Sequence, residues 1–191
     1  MPASASDVLE FWFAEAHAAH WFAASADFDG KIREQFGGAV QDAANGRLDG
    51  WAATPSGWLA LLILLDQFPR NLYRHDPRAW AADPAAQRVA LSGLSRGDDR
   101  QLPAIRRVFA YLPLEHAENP ALQRRSVELF EALRVEAPPG EVARFDNFLD
   151  YARGHRDVIE RFGRFPHRNA VLGRASTADE MDYLARPGAG F

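Results

Sequence analysis

Apolar residues recur along this chain at the spacing of an α-helix, and no stretch alternates apolar and polar residues as a half-buried strand does. One face of a predicted helix carries four such residues: Phe28, Ile32, Phe36 and Val40. Asn119-Pro120 is typical of a helix start, and Thr177 with Glu180 has the spacing of a capping box. The sequence therefore predicts an all-α fold, a compact stack of about eight helices joined by short turns.

Two of the predicted helices place polar residues in the interior. The segment Ser56 to Gln67 is apolar at every position from Trp58 to Leu65, which is typical of a central buried helix and is too short to span a bilayer. Its end brings Asp66 into or beside the core. In the long helix Glu141 to Phe162, His155 occupies a position that the pattern gives to an apolar residue, so it is predicted to face the protein.

Length and composition limit the classes of function. A chain of 191 residues fits a single domain, 1–191, or at most two small ones. The net charge of −4 argues against a nucleic-acid partner, and the absence of cysteine excludes disulfides and thiolate chemistry. Every basic residue except Lys31 is arginine, whose planar fork suits carboxylate or phosphate, although an Arg-rich genome explains the bias more simply. We expect a cytoplasmic protein with no membrane partner, because residues 1–7 do not resemble a signal peptide.

A four-residue phrase occurs twice. Phe68-Pro69-Arg70-Asn71 returns as Phe165-Pro166-His167-Arg168-Asn169, with one histidine inserted. Each copy follows a predicted helix, and Pro69 predicts that the central helix stops at Phe68. Arginine and asparagine at two helix ends could form a cradle for a phosphate or carboxylate. The candidate ligand-binding residues are Asp66, Arg70, Asn71, Arg74, His155, Arg164, Arg168 and Asn169.

The same residues have a purely structural interpretation. Cations near a helix C-terminus satisfy the last carbonyl groups, and Asp66 could form a buried bridge with a neighbouring arginine. If these residues instead form a ligand site, we expect Asp66, Arg70, His116 and Arg168 to share one pocket.

Histidine chemistry has two further candidates. The phrase Tyr111 to Glu118 sets His116 among carboxylates at a helix end interrupted by proline, so His116 and His167 are candidate acid/base residues. Adjacent Glu115 and His116 side chains are expected to diverge, and His17 with His20 makes only a weak pair. The sequence therefore predicts no metal site and no cofactor.

Several phrases together resemble the DUF924 family of bacterial proteins. They include Leu64 to Asn71, Tyr111 to His116, Arg161 to Asn169, the opening Val8 to Phe13 and the closing Leu172 to Thr177. The resemblance implies an all-helical, TPR-like arrangement of antiparallel hairpins and implies no established activity.

Three hypotheses about function follow. The first is a binding module whose pocket, lined by arginine and histidine, holds a small anionic ligand or an acidic peptide. The alternative is a hydrolase-type enzyme that uses a histidine acid/base with an arginine clamp in the same pocket. In the third, the repeated phrases are structural and there is no site. The oligomeric state is open.

Overall fold

The computed structural model describes residues 2–190, which contain nine α-helices and several short 3₁₀ turns but no strand. The helices are α1 Ala5–Trp12, α2 Ala26–Ala44, α3 Pro55–Leu62, α4 Phe68–Leu72, α5 Asp83–Arg96, α6 Ala104–Glu115, α7 Pro120–Val135, α8 Val142–Phe162 and α9 Ala178–Leu184. The all-α prediction is confirmed. Residues 2–113 and 114–190 form two compact units, called here the first and second unit.

Local capping signals set several helix ends as the sequence predicted. Asn119 accepts hydrogen bonds from the first N–H groups of α7, and Thr177 and Glu180 form a reciprocal capping box at the start of α9. Gly163 ends α8 with a φ of 70°, a left-handed conformation that glycine adopts without steric cost. These ends depend on residues close together in sequence, which is why the sequence located them.

The central helix of the first unit does not stop at Phe68, so that prediction is wrong. α3 runs through a π-helical turn, Ile63–Gln67, into α4, and Phe68 keeps helical dihedrals of −61° and −37°. In the wider turn the Phe68 N–H donates to the carbonyl of Ile63, five residues back, and this geometry accommodates Pro69, which has no N–H. The predicted burial is confirmed, since Trp58 to Phe68 are all buried.

Aromatic rings and one close helix contact surround this central segment. The Phe68 ring lies 5.5 Å from Trp12 and 5.2 Å from Phe36, centroid to centroid. On α5, Gly93 lies directly against the Trp58 indole, whose Nε1 donates to the Val89 carbonyl at 2.8 Å. A side chain larger than hydrogen at position 93 has no space.

The second unit is built on an antiparallel hairpin of α7 and α8. Ion pairs join residues whose positions run in opposite directions along the two helices: Arg124 with Glu160, Glu131 with Arg153, and Arg134 with Asp146. His155 on α8 is 5% exposed, as its place in the apolar pattern predicted. A TPR-like arrangement of all the hairpins stays a prediction. Within residues 2–190, no helix has the length and hydropathy to cross a membrane.

Candidate functional site

Residues of the first repeated phrase are held by carboxylates of the first unit. The Arg70 guanidinium lies 3.2 Å from Asp66 and 3.1 Å from Asp83. Burial alone would lower the pKa of Arg70, but these two carboxylates outweigh it and raise that pKa above its ordinary value. Arg70 also donates to the Asp66 carbonyl in the π-helical turn. Its charge is therefore matched within the fold.

Asn71 and Arg74 share a single acceptor on α2. The Asn71 side chain donates to Asp29 Oδ1 at 2.8 Å, and Arg74 forms two parallel hydrogen bonds to both Asp29 oxygens at 2.6 and 3.0 Å. This fork geometry is among the stronger polar contacts in proteins. It joins the end of α4 to α2.

The second repeated phrase forms the same kind of contact around Glu180. Arg164 binds both Glu180 oxygens at 2.6 and 2.8 Å, and Asn169 donates to the same carboxylate at 3.3 Å. Hydrogen bonds from Arg164 outweigh the effect of burial and lower the pKa of Glu180 to about 2. Arg164 and Asn169 therefore bind Glu180 at the start of α9 and join the second phrase to that helix.

Glu118 supports the same phrase from the loop between α6 and α7. It accepts the Phe165 N–H at 2.8 Å and two hydrogen bonds from Arg174, at 2.6 and 2.9 Å. Burial would raise the pKa of Glu118, but Arg174 and the Phe165 N–H more than offset it, so the pKa is lowered. The backbone at the phrase is therefore anchored by a carboxylate.

Arg168 differs from these arginines in its surroundings. It is only 6% exposed, its guanidinium lies 4.4 Å from the centre of the Phe165 ring, and it donates to the His116 carbonyl at 3.1 Å. The stacked, buried guanidinium joins the second phrase to the residue that follows α6.

Two histidines near Arg168 are uncharged at neutral pH. Burial, with a contribution from His116, lowers the pKa of His155 to about 3. Burial, with a contribution from Arg168, lowers the pKa of His167 to about 4. The Phe165 ring packs near both, with its centroid 5.5 Å from that of His155 and 5.6 Å from that of His167. We call Glu115, His116, His155, His167 and Arg168 the histidine cluster.

Glu115 and His116 do not diverge as the sequence argument expected. One ligand atom from each, and one from His155, all lie within 4.8 Å of one another. α6 ends at Glu115, and His116 is already in the following turn, so the helical rule that separates neighbouring side chains does not apply to this pair. His155 Nδ1 lies 3.2 Å from Glu115 Oε1.

The predicted ligand-binding residues fall into both units. Asp66, Arg70, Asn71 and Arg74 belong to the first unit, whereas His155, Arg164, Arg168, Asn169 and the acid/base candidates His116 and His167 belong to the second. The single pocket predicted for Asp66, Arg70, His116 and Arg168 stays a prediction. The sequence missed the partner carboxylates, because Asp29 and Glu118 are distant in sequence from the residues that they bind.

Two surface clefts are lined by residues other than these. One of about 470 Å³ in the first unit includes Glu10, Thr54 and Arg106, and one of about 250 Å³ in the second unit includes Asp157 and Arg186. Neither is lined by a predicted site residue. Their open, mixed linings offer no convergent set of polar groups.

Comparison with known proteins gives two matches. The model of the family described as "Bacterial protein of unknown function (DUF924)" matches residues 8–188. The chain is also similar to a solved protein of unknown function from Agrobacterium tumefaciens, at 40% identity and a TM-score of 0.85, over 95% of this chain and 96% of that one. None of the curated proteins compared matches the chain.

Proposed function

The chain belongs to the DUF924 family, a family of bacterial proteins of unknown function, and we propose that it binds a small anionic ligand at the histidine cluster. The observation that carries the proposal is a cluster of three imidazoles, a guanidinium and a carboxylate in one small unit, in which His155, Arg168 and Glu115 are buried and His116 and His167 are partly exposed. Removing so many polar groups from water costs free energy that an apolar core would avoid. Such clusters are enriched at functional sites.

The chemistry of the cluster suits a phosphate or a carboxylate. The Arg168 guanidinium and imidazole N–H groups are hydrogen-bond donors of the kind that anions accept. The same groups fit the terminal carboxylate of an acidic peptide. In this proposal His116, His167 and Arg168 contact the ligand, whereas His155 already faces the Tyr151 carbonyl and Glu115 through Nδ1.

In this proposal the other predicted ligand-binding residues stabilise the fold through internal contacts. Arg70, Arg74 and Arg164 each face a carboxylate at salt-bridge distance, so an added anion would have to compete with a neighbouring Asp or Glu. Asp66, Asn71 and Asn169 contribute to the same internal network.

The hydrolase hypothesis has less support. An acid/base group works best when its pKa lies near the working pH, whereas burial lowers the pKa of the candidate His167 to about 4. His167 would therefore be a weak base, and at neutral pH it would lack the imidazolium proton that a general acid transfers. We therefore place binding before catalysis.

The test is a thermal-shift titration of EDTA-treated protein with phosphate and with succinate, each up to tens of millimolar. Ligand at 100 times its dissociation constant stabilises the protein by about 2.7 kcal/mol, which is readily measured as a rise in melting temperature. Arg168→Lys keeps the charge but loses the planar fork, so we expect it to fold and to lose most of the rise. Arg161→Ala, an exposed arginine of α8, is the matched control.

Two results count against anion binding. One is that neither anion raises the melting temperature of the wild-type protein. The other is that Arg168→Lys and Arg161→Ala respond as the wild type does. If Arg168→Ala unfolds the chain and Arg168→Lys keeps the full rise, the residue serves the architecture alone.

A further inference from the structure

Three side chains at one end of α6 and on α8 have the composition of a metal site. Within residues 2–190, Glu115, His116 and His155 form the one group of three or more His, Asp or Glu residues whose ligand atoms all lie within 4.8 Å of one another. One carboxylate oxygen and two imidazole nitrogens are a ligand set that Zn²⁺ and other divalent first-row metals accept. Glu115 and His155 are buried and His116 is partly exposed, so an ion would be shielded yet reachable.

The backbone that carries two of these ligands is fixed by a buried side chain. Gln123 on α7 is fully buried, and its amide donates to the carbonyls of Glu115 and Ala117, on either side of His116. A flexible loop end would not hold two adjacent ligands in one direction. Gln123 therefore takes the role that outer residues play in metal sites, where they fix the ligands that contact the ion.

The orientation of His155 fits the same interpretation. Its Nδ1 lies 2.8 Å from the Tyr151 carbonyl and 3.2 Å from Glu115 Oε1, so Nδ1 carries a proton shared between two oxygen acceptors. An ion bound at Nε2 would leave this proton in place, and an ion bound at Nδ1 would displace it. Histidine ligands of metals commonly donate their other ring N–H to a backbone carbonyl in this way.

Distances decide how much movement binding requires. Ligand atoms on a tetrahedral ion at about 2.0–2.1 Å are roughly 3.3 Å apart, compared with the 4.8 Å that bounds this group. The three atoms that define this group would therefore approach one another by no more than about 1.5 Å, a distance that rotations of the three side chains can supply. Three protein ligands leave a fourth position for water or for another ligand.

We propose that Glu115, His116 and His155 bind one divalent transition-metal ion, with Zn²⁺ the best match to the ligand set. This opposes the sequence-based expectation of no metal. The site goes beyond the proposed anion binding: both use His116, but the anion also requires Arg168 and His167, whereas the metal requires Glu115 and His155, so the two can fail separately. When both hold, an ion at this position would add a positive charge within the histidine cluster.

The test uses the full chain after removal of metal with EDTA. Isothermal titration with Zn²⁺ should give one ion per chain, and His116→Ala should weaken binding by more than about 100-fold because it removes one of three ligands. His116 is the variant of choice, since its backbone carbonyl still accepts from Arg168. His20→Ala removes half of the rival His17/His20 pair and should leave the affinity unchanged.

A second measurement needs no substitution. Pulsed electron paramagnetic resonance of the Cu²⁺-loaded wild-type protein counts coordinated imidazoles, and we expect two. The proposal is overturned by the absence of stoichiometric binding, by a single coordinated imidazole, by unchanged affinity in His116→Ala or by loss of binding in His20→Ala. The phosphate titration in EDTA reports on anion binding alone, so failure of one proposal is distinguishable from failure of the other.

Discussion

Replacing Glu180 by glutamine should destabilise the protein in a manner that depends on pH. Glu180 is 2% exposed, and its pKa is lowered from 4.5 to about 2, first by hydrogen bonds from Arg164 and further by the Thr177 N–H and Asn169. At about 1.4 kcal/mol per pKa unit, the ionised form contributes about 3 kcal/mol to the free energy of unfolding at neutral pH. Glutamine keeps an acceptor for the capping box and removes the charge, so Glu180→Gln isolates that contribution.

The sign of the pH dependence follows from the direction of the shift. A lowered pKa means that the unfolded chain takes up a proton first, so the contribution is complete above pH 4.5 and is lost as the pH falls toward 2. About 1 kcal/mol should be lost by pH 4 and about 2 kcal/mol by pH 3. The difference between wild type and Glu180→Gln should shrink by the same amounts.

Urea denaturation at pH 7, 4 and 3, followed by far-UV circular dichroism, measures this difference. Tryptophan fluorescence would not serve, because all five tryptophans lie between residues 12 and 80, in the first unit. Asp182→Asn, an exposed change in the same helix, is the control and should cost no more than about 0.5 kcal/mol. A difference that stays constant from pH 7 to pH 3, or an equal loss in Asp182→Asn, would refute the assignment of the charge to the Arg164 pair.

Two further predictions concern the first unit and the cooperativity of the chain. Gly93→Ala should destabilise the protein by about 3 kcal/mol or more, because the new Cβ would lie 2.2 Å from the buried Trp58 indole. Gly37→Ala, on the open face of α2, should instead stabilise it by about 0.5–1 kcal/mol. Tryptophan fluorescence in urea measures both changes, and a stabilising Gly93→Ala would contradict the packing against Trp58. The single domain that the sequence predicts requires fluorescence and circular dichroism to report the same transition midpoint in urea, and two separated midpoints would show independent units.

The parts of the fold that were predictable are those set by nearby residues. Apolar spacing and caps located the helices, since both act within one or two turns. The rule that proline ends a helix failed at Pro69. It is a statement about regular α-helical hydrogen bonding, and a π-helical turn changes which carbonyl each N–H reaches. Nothing in the residues before Pro69 signals that turn.

The candidate site was predictable in residue type and not in partners. The arginines and asparagines of the two phrases were found from the sequence, but the carboxylates that bind them come from distant segments. Glu115, His116 and His155 meet because α8 folds back along α7, and the spacing of two adjacent residues contains no such information. Long-range folding therefore decided which polar residues are matched by an opposite charge.

The repeated phrase now separates into a part that is equivalent in both copies and a part that is not. Asn71 with Arg74 binds one carboxylate, and Asn169 with Arg164 binds another, so the shared asparagine has the same structural role twice. The inserted His167 has no counterpart in the first copy, and it lies in the histidine cluster. The shared arginine also differs, because Arg70 lies beside Asp66 and Asp83, whereas Arg168 is stacked on Phe165. His167 and Arg168 together, rather than the shared asparagine, therefore mark the chemistry that we propose.

Matched substitutions test this division of roles. Asn169→Ala should lower the free energy of unfolding by about 1–3 kcal/mol, because it removes buried hydrogen bonds, and should leave the phosphate-induced rise in melting temperature intact. His167→Ala should keep most of the stability and lose most of that rise. The reverse pattern, with His167 setting stability and Asn169 setting the response to phosphate, would assign the site to the repeated residues. Equal effects of both variants on the response would show that the two roles are not separable.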